Sequence, residues 1–183
     1  VCGLFGIDAS WLPEVTDSDA LFGTTDLGGF LPAPVPIHGV LGDSHAALFA
    51  QGCFERGMAK ATLGTGSSVM MNVGTAFVPS SHGLSSSLAW RMGGVAEYVL
   101  EGNVTYAGAV KTWLRDDLEL IANPEEVTDL CYAANPESRV YLVPAFTGLG
   151  APHWCAEAEA CVFGMTRTTG RAEFVKAADE SIA

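Results

Sequence analysis

Asp43 is the residue best suited by type and position to transfer a proton. It follows Gly42 after an apolar run and stands just before Ala46–Phe49. Asp and Ser are preferred where helices begin, so the local pattern predicts that Asp43 or Ser44 caps a helix. A carboxylate at a strand-to-helix turn can also accept the proton of a hydroxyl group that attacks a phosphoryl group. The two roles are compatible.

A second candidate site is the glycine turn Gly64-Thr65-Gly66. It lies between two strand-like runs, Met58–Leu63 and Ser67–Val73, and the pattern predicts a hairpin whose turn exposes backbone N–H groups. Glycine is common in turns for structural reasons alone. The functional interpretation is a phosphate site in which backbone N–H groups and the Thr65 hydroxyl contact a nucleotide. The sequence has no G-x-x-x-x-G-K-[ST] motif, so this turn is not a P-loop.

The elements that must position these residues alternate between strands and helices. Residues 1–40 are rich in turn residues, which predicts a connecting or peripheral layer with a boundary near residues 39–57. The order of elements predicts a mixed α/β fold that ends in a helix at Ala183. After the hairpin, the predicted elements are a strand pair at Ser86–Met92 and Ala96–Glu101, helices at Tyr106–Leu114, Val127–Ala134 and Phe174–Ile182, and a buried strand at Val140–Phe146.

Composition and charge exclude several classes of partner. The 183 residues carry a net charge of -12 with only nine Lys and Arg, so nucleic acids and anionic membranes are poor partners. A nucleotide can still bind, because backbone N–H groups and a metal ion neutralise phosphates without a basic surface.

The five cysteines form no C-x-x-C pair, which predicts reduced thiols and a cytoplasmic protein. No apolar run approaches the ~20 residues of a membrane span. Asp43 with His45 is too small a ligand set to indicate a protein-held metal.

A series of ordered motifs runs along nearly the whole chain. They are Leu12-Pro13-Glu14-Val15 with Phe22-Gly23, Gly42-Asp43 with Ala46-Ala47-Leu48-Phe49, Gly57-Met58-Ala59-Lys60, Gly64-Thr65-Gly66, Leu100-Glu101-Gly102 with Ala107-Gly108-Ala109, Trp113-Leu114-Arg115-Asp116, Val143–Pro152, and Phe163-Gly164-Met165 with Glu173-Phe174, Ala177-Ala178 and Glu180. Together these segments resemble the FGGY carbohydrate kinases, and among them the glycerol kinase group most closely. Ordered matches at compatible spacings are more specific than any single motif. Asp179 departs from the pattern, standing where the family has an apolar residue.

The resemblance implies an actin-like ATPase, ribonuclease-H-like fold and an enzyme that uses ATP and Mg²⁺ to phosphorylate a sugar or polyol. It implies that residues 1–56 end the N-terminal, substrate-side domain and that residues 57–183 begin the C-terminal, nucleotide-side domain. The full-length protein is expected to act alone or as a homodimer or homotetramer. By the resemblance, Asp43 is the general base, the acceptor contacts are Asp43, Ser44 and Ser68, and the residues against ATP are Gly64, Thr65, Gly66, Gly108 and Thr112.

Two residues depart from the glycerol kinase pattern where the acceptor is expected. Ser44 stands where that group places Gln, and Ser68 stands where it places Phe. Both changes shrink the side chain, so a pentulose or a longer polyol is expected as an acceptor beside glycerol. Thr112 also replaces a Gln that the family directs toward the nucleotide. The loop at residues 153–160 differs as well, and drift of a surface loop is the simplest account.

Two other interpretations stay open from the sequence alone. Gly42-Asp43-Ser44 also resembles the first block of GDS-type serine esterases, with Ser44 as nucleophile. Such a nucleophile needs a base, and none of the four histidines has the Asp three residues before it that this class uses. The other interpretation is a segment that is noncatalytic when isolated. It begins at Val1 without Met, and the resembled family has another phosphate loop and further adenine contacts outside the matched region.

Overall fold

The computed structural model describes residues 1–182 as a mixed α/β structure, and the predicted helical end at Ala183 lies outside the described residues. The strands of these residues form three antiparallel sheets. The strands are β1 (Leu21–Thr25), β2 (Val35–His38), β3 (Ala59–Leu63), β4 (Ser67–Gly74), β5 (Ser85–Met92), β6 (Val95–Val104), β7 (Tyr141–Val143) and β8 (Cys161–Phe163). The α-helices are α1 (Cys2–Phe5), α2 (Asp43–Ala50), α3 (Ala109–Asp116), α4 (Glu126–Ala133) and α5 (Arg171–Glu180), with a 3₁₀ turn at Ala9–Trp11.

The central sheet has the strand order β3-β4-β6-β5 and confirms both predicted hairpins. Pairing aligns Thr62 with Ser68 and Ser68 with Asn103, so these three side chains lie on the same face of neighbouring strands. Helix α2 packs against this sheet, because Leu48 is fully buried in one cluster with Met70, Ala89, Trp90 and Val99. The helix that begins at Asp43 is therefore fixed to the sheet that carries the glycine turn.

A second core joins α3, α4 and α5 to the short sheet of β7 and β8. Val110 and Leu114 of α3, Val127 of α4 and Val175 of α5 are buried together with Leu142 of β7. Of these, Val110, Leu114 and Val127 belong to the apolar stripes that the helical spacing predicts. The predicted strand at Val140–Phe146 is real but shorter, since only Tyr141–Val143 pairs with β8.

Some helix boundaries differ from the prediction, and one pair of strands was not predicted. Helix α3 begins at Ala109 and not at Tyr106, because the preceding backbone is bonded to the glycine turn. Helix α5 ends at Glu180, and the first 40 residues contain the β1–β2 pair, which the sequence analysis missed. Strands β1 and β2 are short and mostly exposed and include Gly23 and Pro36, so they lack the alternation that marks a strand.

The prediction that Asp43 or Ser44 caps helix α2 is wrong. Gly42 occupies the cap and offers no side chain, and Asp43 is already the first helical residue. The carboxylate of Asp43 accepts the N–H of Ser44 at 2.7 Å. A carboxylate in the first turn still favours the helix through its positive N-terminal end.

Candidate functional site

The tip of the β3–β4 hairpin is hydrogen bonded to the start of α3. The Gly64 carbonyl accepts the N–H of Gly108 at 2.8 Å, and the Thr65 carbonyl accepts the N–H groups of Ala107 at 2.9 Å and Ala109 at 3.2 Å. The Gly64 N–H closes the turn on the carbonyl of Gly66 at 2.9 Å. Turn and helix therefore form one corner, and among residues 1–182 the Thr65 N–H is left without a protein acceptor.

Two residues of this corner must be glycine, because the backbone of neighbouring segments passes too close to leave room for a Cβ atom. A Cβ at Gly108 would lie 2.5 Å from the Gly64 carbonyl oxygen, and a Cβ at Gly66 would lie 2.8 Å from the carbonyl oxygen of Val104. Both distances are shorter than a real Cβ contact with a backbone atom. Any side chain at either position would push the hairpin away from its neighbour, so the glycines set the shape of the corner.

A groove of about 690 Å³ opens beside the corner and is here called the hairpin groove. Four of the five residues that the resemblance places against ATP line it, namely Gly64, Thr65, Gly108 and Thr112. Its volume lies within the range of small-molecule sites. The structure thus brings together residues that are 48 positions apart in the sequence, while Gly66 lines a different pocket.

Lys111 and Asp117 also line the hairpin groove and were not predicted from the sequence. The Nζ of Lys111 lies 2.9 Å from Oδ1 of Asp179, the residue that departs from the family pattern. The other carboxylate oxygen of Asp179 lies 4.0 Å from Sγ of Cys131. Burial, followed by the negative charge of Asp179, raises the pKa of the Cys131 thiol above its ordinary value. One carboxylate therefore links α3, α4 and α5 beside the groove.

A second pocket of about 500 Å³, here called the serine pocket, begins at the next residue of the turn. Its lining includes Gly66, Ser67 and Ser68 from the turn and β4. Ser68 is 8% exposed, and its Oγ donates to Oε1 of Glu101 at 2.6 Å. Ser67 is equally buried, and its Oγ has no hydrogen-bond partner. The predicted acceptor residue Ser68 thus lines a pocket next to the hairpin groove.

Asp43 and Ser44 line neither of these two spaces. Asp43 is solvent exposed at the start of α2, and Ser44 is half-buried. Because α2 is anchored to the central sheet through Leu48, both residues sit on a fixed helix end. The neighbouring residue is His45, and its buried Nε2 atom has no hydrogen-bond partner within residues 1–182.

Two features are absent from the described residues. Residues 1–182 contain no cluster of three or more His, Cys, Asp or Glu that could hold a metal ion. Within the same range, no helix is both long and apolar enough to cross a membrane.

The sequence analysis missed the groove residues Lys111 and Asp117 and the pocket residues Thr62 and Asn103 as members of a site. Lys111 follows Gly108 by three positions, which places the two on one helix face, so helical spacing was an available signal. Asn103 comes beside Ser68 only through the register of β4 and β6. Strand pairing between distant segments leaves no local mark in the sequence.

The chain belongs to the FGGY family of carbohydrate kinases. Residues 59–183 match the model of the family's C-terminal domain. Glycerol kinases of Brucella ovis and Agrobacterium fabrum are each 51% identical to this chain over 180 residues, which cover 98% of the chain and 36% of each relative. The chain therefore spans little more than a third of the length of these relatives.

Solved structures agree with this assignment and show the actin-like fold. The crystal structure of Plasmodium falciparum glycerol kinase with ADP is 35% identical with a TM-score of 0.86, covering 99% of this chain and 36% of that one. A ligand-bound xylulose kinase of Lactobacillus acidophilus, 20% identical, shares the fold with a TM-score of 0.79, covering 99% of this chain and 37% of its own. Nothing in these relatives supports the serine esterase alternative, and the Ser44 hydroxyl bonds no histidine within residues 1–182.

Proposed function

We infer that the full-length protein containing this chain transfers the γ-phosphoryl group of ATP to a hydroxyl group of a sugar or polyol. The observation that supports this best is the hairpin groove, where Gly64, Thr65, Gly108 and Thr112 meet at one corner. Gly66 and Gly108 allow the close backbone approach that forms this corner, and the N–H of Thr65 makes no backbone hydrogen bond within residues 1–182. The shape and donor set therefore fit a nucleotide whose phosphates approach Thr65.

Thr65 is the residue that meets the transferred phosphate in this proposal. Its hydroxyl is exposed at the turn, and its backbone N–H supplies a second donor beside it. Phosphoryl transfer depends mainly on alignment and on stabilisation of charge, so fixed donors at this position act on the transition state. Thr112 lies one turn along α3 and contacts a more distant part of the nucleotide.

In this proposal the site would hold Mg²⁺ together with the nucleotide. Mg²⁺ is usually bound through one or two carboxylates, substrate phosphates and water, so a protein cluster of three ligands is not required. Bound there, the ion would neutralise charge on the phosphates.

Asp43 is the proposed general base. Its carboxylate is exposed at the start of α2 and accepts one N–H, that of Ser44, so further acceptor positions are free for a substrate hydroxyl. The proton of the attacking hydroxyl goes to this carboxylate as the bond to phosphorus forms. Ser44 and Ser68 are the proposed acceptor contacts, and both lack the bulk of the glycerol kinase residues.

The decisive experiment measures ADP release by the full-length protein with Mg-ATP and either glycerol or D-xylulose. Asp43→Asn is expected to lower kcat by about 10²–10⁴-fold with little change in KM for ATP, because only the proton acceptor is lost. Asp129→Asn on the exposed face of α4 is the matched control and is expected to keep wild-type kcat. Unchanged turnover in Asp43→Asn would show that the base is another residue.

The remaining proposals concern the whole protein. Residues 1–56 are assigned to the substrate-side domain and residues 57–183 to the nucleotide-side domain, although α2 and the central sheet share one core. The isolated chain is expected to be inactive, because it spans 36% of the relatives' length.

We place the protein in the cytoplasm, where ATP is available, as a monomer, dimer or tetramer. Sedimentation of the full-length protein distinguishes these oligomeric states.

A further inference from the structure

Ser18 forms three hydrogen bonds that join the edge of the central sheet to the segment that leads into α2. Its N–H donates to the carbonyl of Arg91 at 2.7 Å, and its Oγ accepts the N–H of Arg91 at 3.2 Å. Its carbonyl accepts the N–H of Val40 at 3.0 Å. Arg91 belongs to β5, the edge strand of the sheet, and Val40 lies three residues before Asp43. Ser18 therefore bridges the sheet edge and the chain that presents the proposed base.

Two aspartates flank this serine and bind the turn between β5 and β6. Oδ2 of Asp19 accepts the N–H of Gly93 at 3.1 Å, and Oδ2 of Asp17 accepts the N–H of Gly94 at 2.8 Å. In a two-residue hairpin turn these N–H groups have no partner in the strand ladder, so the carboxylates satisfy both. Hydrogen bonds to a charged acceptor are about twice as strong as neutral ones. The turn is therefore fixed on both sides of the serine.

The contacts of residues 17–19 with residues 91–94 are here called the Ser18 clasp. They include an ion pair in which Nε of Arg91 lies 3.3 Å from Oδ1 of Asp17. Both side chains are partly exposed, so this pair adds little, and the bonds to the backbone hold the clasp. The clasp joins residues proposed for the substrate-side domain to residues proposed for the nucleotide-side domain.

Helix α2 has a separate anchor at its other end. Leu48 is fully buried against the central sheet, whereas Asp43 is exposed at the start of the helix. Only two residues separate the tied Val40 from Asp43, and each residue spans at most about 3.6 Å. Loss of the clasp would therefore free the entry to α2 while the far end of the helix stays packed.

We propose that Ser18 is a positioning residue for Asp43, and that the carboxylates of Asp17 and Asp19 hold Ser18 in place. The proposal rests on the proposed kinase function, because it concerns the general base of that reaction. A base must lie within hydrogen-bond reach of the attacking hydroxyl, and misplacement by about 1 Å can cost about 10²-fold in rate. The clasp residues line neither the hairpin groove nor the serine pocket, so they act on the base and not on the binding of ATP.

Hydrogen exchange in the full-length protein tests the clasp without reference to activity. Ser18→Ala and the double variant Asp17→Ala/Asp19→Ala are expected to speed exchange of the Val40 amide about fivefold or more, because the segment opens more easily. Peptides that cover residues 38–42 and 91–95 report the change. Asp8→Ala is the matched control, because Asp8 accepts from Ser10 within its own turn, and it is expected to leave both peptides unchanged.

Kinetics of the full-length protein with Mg-ATP and glycerol or D-xylulose test the positioning role. Ser18→Ala is expected to lower kcat about tenfold with KM for ATP unchanged, and Ser18→Thr, which keeps the hydroxyl group, is expected to stay near the wild type. In an Asp43→Asn background, Ser18→Ala is expected to change kcat by less than about twofold, because the base through which it acts is absent. A merely structural role would lower kcat by the same factor in both backgrounds.

The outcomes separate this inference from the function on which it rests. Unchanged exchange at residues 38–42 in both variants would show that the clasp does not hold the segment, while the kinase assignment stands. Faster exchange with wild-type kcat, or equal losses of kcat in the two backgrounds, would mean that Ser18 does not position Asp43. If neither alcohol yields ADP above the background of ATP alone, the kinase assignment is wrong, and the positioning role is wrong with it.

Discussion

The N–H of Gly108 lies 2.8 Å from the carbonyl oxygen of Gly64, which fixes the start of α3 to the tip of the β3–β4 hairpin. A Cβ on Gly108 would lie 2.5 Å from the same oxygen. Gly108→Ala must therefore move the helix away from the turn. Because the two residues line one groove, we expect kcat/KM for ATP to fall about 10²-fold, as misplacement by about 1 Å can cause.

Steady-state kinetics at varied ATP concentration checks this expectation in the full-length protein. Gly3→Ala is the matched control, because nothing lies within 4 Å of the Cβ that it would add. The control is expected to retain the wild-type constants. Wild-type kcat/KM in Gly108→Ala would mean that the nucleotide does not depend on this corner.

Leu48 anchors the helix that presents Asp43. It is fully buried against Met70, Trp90 and Val99 of the central sheet. Leu48→Ala removes this contact and leaves a cavity, so we expect the free energy of unfolding to fall by about 2–5 kcal/mol. Urea denaturation of the full-length protein measures the change.

Leu4→Ala serves as the control for Leu48, because Leu4 is 88% exposed. A change at such a surface position is expected to stay within about 0.5 kcal/mol. Equal effects of the two substitutions would show that α2 does not depend on the sheet for its position.

Local patterns in the sequence predicted the elements that carry the site better than the site itself. The glycine turn between two apolar runs and the helical stripe at Val110 and Leu114 were both sufficient to place β3, β4 and α3. Contact between Gly64 and Gly108 depends on how a hairpin meets a helix more than 40 residues later. Propensity and periodicity do not encode that contact, and the resemblance to a family only placed both residues against the same nucleotide.

The pairs made by single side chains were the least predictable part. Ser68 with Glu101 and Lys111 with Asp179 join residues 33 and 68 positions apart. Each pair depends on register or on helix packing, which no residue type specifies alone. Asp179 was noticed as an exception to a pattern, but only the structure shows the lysine that it meets.

We expect Glu173, which lies in the first turn of α5, to make the free energy of unfolding depend on pH. Its carboxylate accepts the N–H of Asn135 at 3.0 Å and the N–H of Gly170 at 2.8 Å, and these backbone bonds lower the pKa of Glu173 below its ordinary 4.5. A lowered pKa in the folded state stabilises the fold above pH 4.5. That contribution disappears as the pH falls through the folded-state pKa.

Glu173→Gln tests this dependence by differential scanning calorimetry between pH 3 and 7. The variant is expected to melt below the wild type at pH 7, because it lacks the charged acceptor of both N–H groups. The gap between the two melting temperatures should narrow as the pH falls below about 4.5. A gap that stays constant with pH would contradict the role of the charge.

The reactivity of Cys131 should depend on the carboxylate of Asp179, which joins α3 to α5. Burial is the main cause of the raised pKa of its thiol, and the negative charge of Asp179 adds to it. Asp179→Asn removes that charge, so we expect the pKa of Cys131 to fall and the thiolate fraction at pH 8 to rise. Alkylation of Cys131 by iodoacetamide, followed peptide by peptide in the mass spectrometer, should then be faster than in the wild type.

Glu180→Gln provides the comparison, because the charge of Glu180 raises the same pKa less than that of Asp179 does. We expect the order of alkylation rates to be Asp179→Asn, then Glu180→Gln, then wild type. The ion pair with Lys111 is partly exposed and contributes at most about 1 kcal/mol, so Asp179→Asn should remain folded. Slower alkylation in Asp179→Asn would place the carboxylate away from the thiol and break the proposed link between the helices beside the groove.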